Sequence, residues 1–387
     1  MENFEFYNDT QIIFGSGAEL EIGLEVSKYG KKVLLHYGGE TIKKTGLYDR
    51  VTKSLKEWEI EFIELSGVRP NPRLELVRKG IEKCRRENIN FILAIGGGSV
   101  IDSAKAIAAG VKYEGDVWEL YDGKGKLVEA IPIGVILTIP ASGSESGGAS
   151  IITNEDGWYK RIFWHNSLSP RFAILNPQLT YTLSSYQTAA GGVDIMSHVF
   201  ERYFTNTRNV DLTDRLCEGV LRTLIKNLPV VIEEPENYDA RAEVMWAGTI
   251  AHNGLLGTGR EEDWSSHMIA HEISGIYDLT HGAALSIVFP AWMEYVYTCN
   301  IDRFLQFAIR VWDIEMDFQN PKKTAFEGIN RTKEFFEKIG MPTRLSEVGI
   351  SGNRIEEMAE KCLISDYVGR FKKLYKADIV KILEMAL

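Results

Sequence analysis

Asp194 and His198 stand four residues apart, and His267, His271 and His281 follow within one short stretch. The whole chain of 387 residues holds only seven histidines, so this grouping of imidazoles with a carboxylate points to a divalent cation. Side chains four apart on a helix lie one turn from each other on one face, so Asp194 and His198 can reach a common ion, and so can His267 and His271. His281 cannot share the second helix, because fourteen residues of unbroken helix would carry it about 21 Å past His267 at a rise of about 1.5 Å per residue. The chain must turn back. Gly275 and Asp278 offer the break, and Thr280 stands where it can cap a new helix whose apolar run is Ala283, Ala284, Leu285, Ile287 and Val288. At this level five side chains remain candidates for the ligand set. A mixed imidazole and carboxylate shell suits Fe2+ or Zn2+ better than Mg2+ or Ca2+, which prefer oxygen alone.

Such residues need elements to position them. From Phe6 to about Pro177 short apolar runs alternate with amphipathic segments, the pattern of a parallel sheet with crossover helices. Strands are expected at Lys32 to Tyr37, Ile60 to Leu65, Asn90 to Ile95, Ile133 to Ile139 and Phe172 to Leu175. Between them Val51, Leu55 and Trp58 recur at helical spacing, as do Leu74, Val77, Ile81 and Cys84. Beyond Ser184 the periodicity is helical, over Tyr186 to Phe204, Asp211 to Leu228, Asp239 to Leu256 and further segments to Leu387. Pro177 and the Thr/Ser cluster after it interrupt both patterns, which places a boundary between an α/β domain, 1–180, and an all-α domain, 181–387.

Three loops in the α/β part read as nucleotide-binding. In AIGGGSVIDSAK, Gly96, Gly97, Gly98 and Ser99 follow a buried strand and precede a helix. There backbone N–H groups can close on a phosphate, and the helix N-terminus adds positive potential. The run is not GxGxxG, so the usual dinucleotide fingerprint is absent. A second loop, Ala141 to Gly148, offers the hydroxyls of Ser142 and Ser144 just after Thr138. A third strand end carries Gly38, Gly39, Glu40 and Thr41. Ligands of open α/β sheets bind beyond the carboxyl ends of the strands, where all three loops fall.

Composition narrows the partners. Forty-four basic against fifty-four acidic residues give a formal charge of −10, without a long basic run, which disfavours nucleic acid and anionic membrane and leaves small molecules. Cys84, Cys217, Cys299 and Cys362 lie far apart with no CxxC pair, against a zinc ribbon or disulfide framework and in keeping with a cytoplasmic location. The N-terminus MENFEFYNDT lacks the basic and apolar regions of a signal peptide. The most apolar stretch, Ile131 to Ala141, is too short to span a bilayer.

Taken together, FGSGA, YGGETIKKTG, GGGSVIDSAK, LTIPASGSES, LNPQLTYTLSSYQTAAGGVDIMSH, WSSHMIAHEISGIYDLTHGAAL and IVFPAW resemble the iron-dependent (group III) alcohol dehydrogenases, in particular their butanol-dehydrogenase branch, over nearly the whole chain. The resemblance implies an N-terminal dinucleotide-binding domain, a C-terminal helical metal-binding and catalytic domain, an active site in the cleft between them, and a homodimer. It implies Asp194, His198, His267 and His281 as metal ligands, with His271 as a further active-site histidine. It implies Gly97, Gly98 and Ser99 as pyrophosphate contacts, Asp102 near the nicotinamide, and Asn71, Thr138, Ser142, Lys160 and Leu179 along the cofactor groove. Two departures stand out. Glu40 and Thr41 replace the third glycine and serine that follow Tyr-Gly-Gly in many members of the branch, and Gly147-Gly148 replaces a loop that often carries Asn with a small residue. A carboxylate near the adenosine ribose repels a 2′-phosphate and accepts from a 2′-hydroxyl, which tips NAD(H) over NADP(H), with Lys43 and Lys44 close enough to act the other way.

The expected reaction is reversible hydride transfer between a small primary alcohol of the butanol type and a nicotinamide, with His271 bonding the substrate or relaying its proton. A metal-dependent, NAD-using lyase of the dehydroquinate-synthase kind is the rival; its anionic substrate would call for several Lys or Arg residues, and near the candidate ligands the chain offers mainly Arg202. A non-catalytic metal-binding protein is the third reading. Trp246, Trp264 and Trp292 are candidates for an apolar substrate pocket.

Overall fold

The computed structural model describes residues 1–363 and 365–387. Its packing divides the chain into two compact units, Tyr7–Thr182, and Leu183–Leu387 together with Met1–Phe6.

The first unit holds strands β1 (Gln11–Phe14), β2 (Lys32–Tyr37), β3 (Glu61–Leu65), β4 (Ile92–Gly96), β5 (Ile133–Leu137), β6 (Ala149–Asn154), β7 (Tyr159–Trp164) and β8 (Phe172–Leu175). Six form one sheet in the order β1-β8-β5-β4-β2-β3, every pairing parallel, and β6 with β7 forms a separate antiparallel pair. Helices α1 (Ile22–Ser27), α2 (Thr41–Lys44), α3 (Leu47–Glu57), α4 (Leu74–Arg86), α5 (Gly98–Lys112) and α6 (Trp118–Tyr121) intervene. Strands β4, β5 and β8 are buried at every residue, as unbroken apolar runs between layers of helix must be. Because the sheet is parallel, the carboxyl ends of β2, β4 and β5 share one edge, and the three Gly- or Ser-rich loops leave from it.

The five expected strands form within two residues of their expected limits. Sequence reading missed β1, only four residues long at the sheet edge, and the β6/β7 pair, whose alternation is weak.

The second unit comprises α7 (Ser185–Tyr203), α8 (Asp211–Glu233), α9 (Tyr238–His252), α10 (Ser265–Tyr277), α11 (His281–Val296), α12 (Ile301–Trp312), α13 (Pro321–Lys338), α14 (Ile355–Cys362) and α15 (Lys376–Met385). Helix α7 starts on a capping box, Ser184 with Gln187, and is buried from Thr188 to its end, so it is the central rod of this unit. Around it Phe200, Phe204, Phe289, Trp292, Phe304 and Phe307 form an aromatic core of edge and stacked contacts. Helix α8 runs on through Pro229, beyond the end expected at Leu228; buried Leu228 and Val231 on either side hold it together despite the lost N–H. Helix α9 ends at His252, short of Leu256, because Gly254 takes φ +93 and turns the chain.

Candidate metal centre and nucleotide loops

Three helices carry the five candidate side chains and bring Asp194, His267 and His281 into one group, with His198 and His271 beside it. Asp194 and His198 share the inward face of α7, His267 and His271 that of α10, and His281 opens α11. The reversal between α10 and α11 takes place at Asp278, in the left-handed region at φ 53, while Gly275 stays inside α10. Thr280 occupies the cap position of α11, but its backbone carbonyl rather than its side chain receives the first helical N–H groups.

One oxygen of Asp194 is the hub. Its Oδ1 lies 3.8 Å from His198 Nδ1, 3.9 Å from His267 Nε2 and 4.0 Å from His281 Nε2. Ligand atoms of Asp194, His267 and His281 all lie within 4.8 Å of one another, and the His198 ring stacks on His267 at 4.8 Å between centroids. These separations exceed hydrogen-bond length. They come near the ~3.4 Å between ligand atoms in a tetrahedral shell with bonds of about 2.1 Å. His271 sits one turn further along α10, its ring 5.1 Å from that of His281 and outside the group of three.

Burial drives the His198 imidazole well below its ordinary pKa, with His252, His267, Arg202 and His281 adding in the same direction. The neutral ring is the form that binds a metal, and the buried Nδ1 of His198 has no hydrogen-bond partner among the described residues. The donor set and this atom fit a first-row divalent cation held by Asp194, His198, His267 and His281.

Two neighbours, Glu201 and His252, lay outside the sequence reading, and a third, Trp264, entered it only as a pocket candidate. Glu201 is buried, with Oε1 at hydrogen-bond distance, 2.7 Å, from His267 Nδ1. Burial, together with Asp263 beside it, pushes its carboxyl well above the usual range, against the pull of the His267 and Trp264 N–H groups. Its signal was present, since it stands seven residues after Asp194 on the same helical face. His252, at the end of α9, sets its ring edge-on against His198 at 4.2 Å, and no sequence spacing links the two. Trp264, a bulky residue at φ 68, precedes α10 and touches His198, His252 and His267 with its ring. Backbone strain of this kind persists only where surroundings enforce it; here Glu201 accepts the Trp264 N–H at 2.6 Å and Glu262 its indole N–H at 2.6 Å.

Arg202 is buried and turned to its neighbours. It bonds the His198 carbonyl at 2.8 Å, pairs with Glu262 at 3.2 Å and lies over the Trp264 ring at 4.8 Å. Of the three candidate pocket tryptophans only Trp264 borders the centre: Trp292 belongs to the aromatic core and Trp246 is exposed. Helical periodicity alone does not tell these environments apart.

In the first unit, Gly97 caps α5 directly after β4, and Gly98 opens the helix. A Cβ on Gly97 would come within 2.9 Å of Ile139, and one on Gly98 would strike the Ser142 hydroxyl, so both glycines are required by the close approach of the β5 loop. Ser99 follows in the first turn of α5, and Thr138 leaves β5 with its N–H on the Gly96 carbonyl at 3.0 Å. Asp102 is buried and accepts from Ser144 Oγ at 2.6 Å and Ile151 N at 3.2 Å; burial pushes its carboxyl up, countered first by Lys105. The Ser144 proton therefore goes to Asp102 rather than outward, and its hydroxyl oxygen accepts from Lys105 at 2.8 Å.

Lys105 was also missed. Fully buried, it donates to the carbonyls of Ser144, Gly147 and Ala149 at 2.6–2.8 Å and so ties the whole serine loop to α5; burial lowers its ammonium to about 8. Asn71, at φ 53, receives Lys160 Nζ at 2.9 Å. At the end of β2, Gly38 and Gly39 lead to Glu40 and Thr41 at the start of α2, and Leu179 packs against the core of the sheet.

Family models for iron-containing alcohol dehydrogenases match both parts of the chain, residues 9–177 to the N-terminal model and 188–387 to the C-terminal one. A probable NADH-dependent butanol dehydrogenase of Bacillus subtilis is 45% identical over 390 residues, covering 100% of both chains. The NADPH-dependent aldehyde reductase YqhD of Escherichia coli is 39% identical, covering 93% of each. The crystal structure of an NADH-dependent butanol dehydrogenase from Thermotoga maritima superposes with a TM-score of 0.97 at 40% identity, over 100% of this chain and 99% of that one. The chain belongs to the iron-containing alcohol dehydrogenase family. It is accordingly an NAD(P)-linked oxidoreductase that interconverts alcohols and aldehydes.

Proposed function

We propose that the protein reduces short aldehydes of the butanal type, and oxidises the matching primary alcohols, with a divalent iron or zinc ion and with NAD(H) in preference to NADP(H). The observation that carries this reading is the single Asp194 oxygen facing three imidazoles at 3.8–4.0 Å. Asp194, His198, His267 and His281 hold the ion. Bound there, it supplies Lewis-acid stabilisation of negative charge on the substrate oxygen. His271 binds the substrate hydroxyl and carries its proton toward solvent. Gly97, Gly98 and Ser99 hold the pyrophosphate at the N-terminus of α5, with Asn71, Asp102, Thr138, Ser142, Lys160 and Leu179 along the rest of the dinucleotide, while Ser144, bonded inward to Asp102 and Lys105, braces the loop instead of lining it. In this reading 1–180 serve the dinucleotide and 181–387 the metal. Arg202, the cation near the candidate ligands, is committed to Glu262 and the His198 carbonyl, which favours a neutral aldehyde over the anionic substrate of the lyase reading.

The preference for NAD(H) rests on Glu40. Of the two lysines that opposed it, Lys43 lies 3.7 Å from Glu40 and over the rings of Tyr37 and Tyr48, whose hydroxyls both bond Glu64. Glu40 and, through space, Glu64 both face the Lys43 ammonium. Glu40→Ser should raise NADPH activity relative to NADH about tenfold or more, equivalent to about 1.4 kcal/mol; an unchanged ratio removes Glu40 as the discriminator. The function as a whole is tested by metal analysis of the purified protein together with butanal reduction under NADH and NADPH in parallel. Metal at one ion per chain with metal-dependent NADH oxidation is expected, and no metal-dependent turnover on any aldehyde would refute it.

A cytoplasmic homodimer completes the reading. Among the described residues no helix is long and apolar enough to cross a membrane, and Cys84, Cys217 and Cys299 form no disulfide. Ile162 and Trp164 on β7 are 46% and 60% exposed, apolar surface available to a second copy. Light scattering should give twice the 43.7 kDa of one chain, and a monomer at micromolar concentration would contradict it.

A further inference from the structure

We propose that Glu201 is a positioning residue of the metal centre, whose carboxylate keeps the His267 proton on Nδ1 and so turns the Nε2 lone pair toward Asp194. The inference rests on the metal-centre reading above and adds to it a group that touches no ion.

The geometry is specific. Glu201 Oε1 lies 2.7 Å from the His267 ring at Nδ1 and accepts the His267 backbone N–H at 3.0 Å. Oε2 accepts the Trp264 N–H at 2.6 Å, and the Glu201 carbonyl accepts that of Asp263 at 2.9 Å. One residue of α7 thus holds the start of α10 and the two residues before it at three backbone groups and one side chain. Both carboxylate oxygens receive a backbone N–H, contacts that favour the ionised carboxylate, and an ionised carboxylate can only accept, which makes Nδ1 the donor in this proposal. The other nitrogen, 3.9 Å from Asp194 Oδ1, is left with a lone pair aimed at the centre. A carboxylate behind a ligating imidazole fixes its tautomer and orientation and raises its basicity, and loss of such a partner weakens metal affinity about 10–100-fold.

The test uses the full-length protein stripped of metal by chelation, and the Glu201→Gln and Glu201→Ala variants. Ring 15N shifts in the metal-free wild type should show His267 protonated on Nδ1, and in both variants a mixture of tautomers. Zn2+ titration should give dissociation constants raised about 10–100-fold, with Glu201→Gln the milder variant because its amide oxygen can still accept. A purely structural role would lower the melting temperature and leave tautomer and metal affinity of the folded protein alone. The proposal is overturned if the wild-type ring carries its proton on Nε2, or if a folded variant binds Zn2+ as tightly as wild type. Should Glu201→Ala fail to fold, Glu201→Gln decides. If wild type binds no divalent metal, the metal-centre reading fails instead, while the tautomer comparison still judges Glu201.

Discussion

His267→Ala is expected to lose both the metal and turnover, whereas His271→Ala is expected to keep the metal and lose most of its turnover. The two histidines stand one turn apart on α10, both buried, and chemically identical truncations there separate ligand from proton carrier. His267 Nε2 belongs to the group around Asp194. Removing it leaves three ligands and forfeits charge stabilisation worth several kcal/mol, so kcat should fall by roughly three orders of magnitude or more. His271 lies outside that group, beside His281; loss of a proton-transfer partner costs about 10²–10⁴-fold with metal content intact. Metal content by atomic emission and steady-state rates on the same samples make the comparison, and equal metal loss in both variants would overturn the division of roles.

The second large effect concerns a residue that touches nothing reactive. Gly282 follows His281 at the start of α11, and a Cβ there would fall on the Ala190 carbonyl of α7, with the carbonyl carbon only 2.6 Å away. Backbone cannot yield as a flexible side chain does, so Gly282→Ala must push α11 off α7. Overpacking of this kind costs about 1–3 kcal/mol of stability. The same displacement carries His281 away from Asp194, since the two reside on the helices being separated. Denaturant unfolding should therefore show the loss, and Zn2+ affinity of the folded variant should fall about tenfold or more, as a shift of order 1 Å at a preorganised site implies. Gly219→Ala is the control, because nothing lies within 4 Å of its Cβ position. Equal behaviour of the two variants would mean that the α7/α11 contact does not set the centre.

Much of the fold was legible because its signals are local. Apolar runs such as Ile133–Leu137 are long enough to announce a buried strand, and Pro177 with the following Thr and Ser residues announces a change of regime. The elements missed were those whose pairing, rather than composition, makes them strands: β1 forms by adding to β8, and β6 by adding to β7. Helix α8 shows the converse, since a proline that reads as a stop is overridden by burial on both sides.

Of the candidate site, the amino-acid sequence by itself determined which side chains share a helical face and where the chain must reverse. Asp194 with His198, His267 with His271, and the turn before His281 all follow from backbone dihedrals, which a residue and its near neighbours set. Tertiary packing decided which faces meet. That Glu201 backs His267, that His252 abuts His198 and that Lys105 ties down the serine loop depend on contacts 66, 54 and 39–44 residues apart. Those pairings arise from burial of apolar surface across the whole unit, a non-directional force that local spacing does not encode.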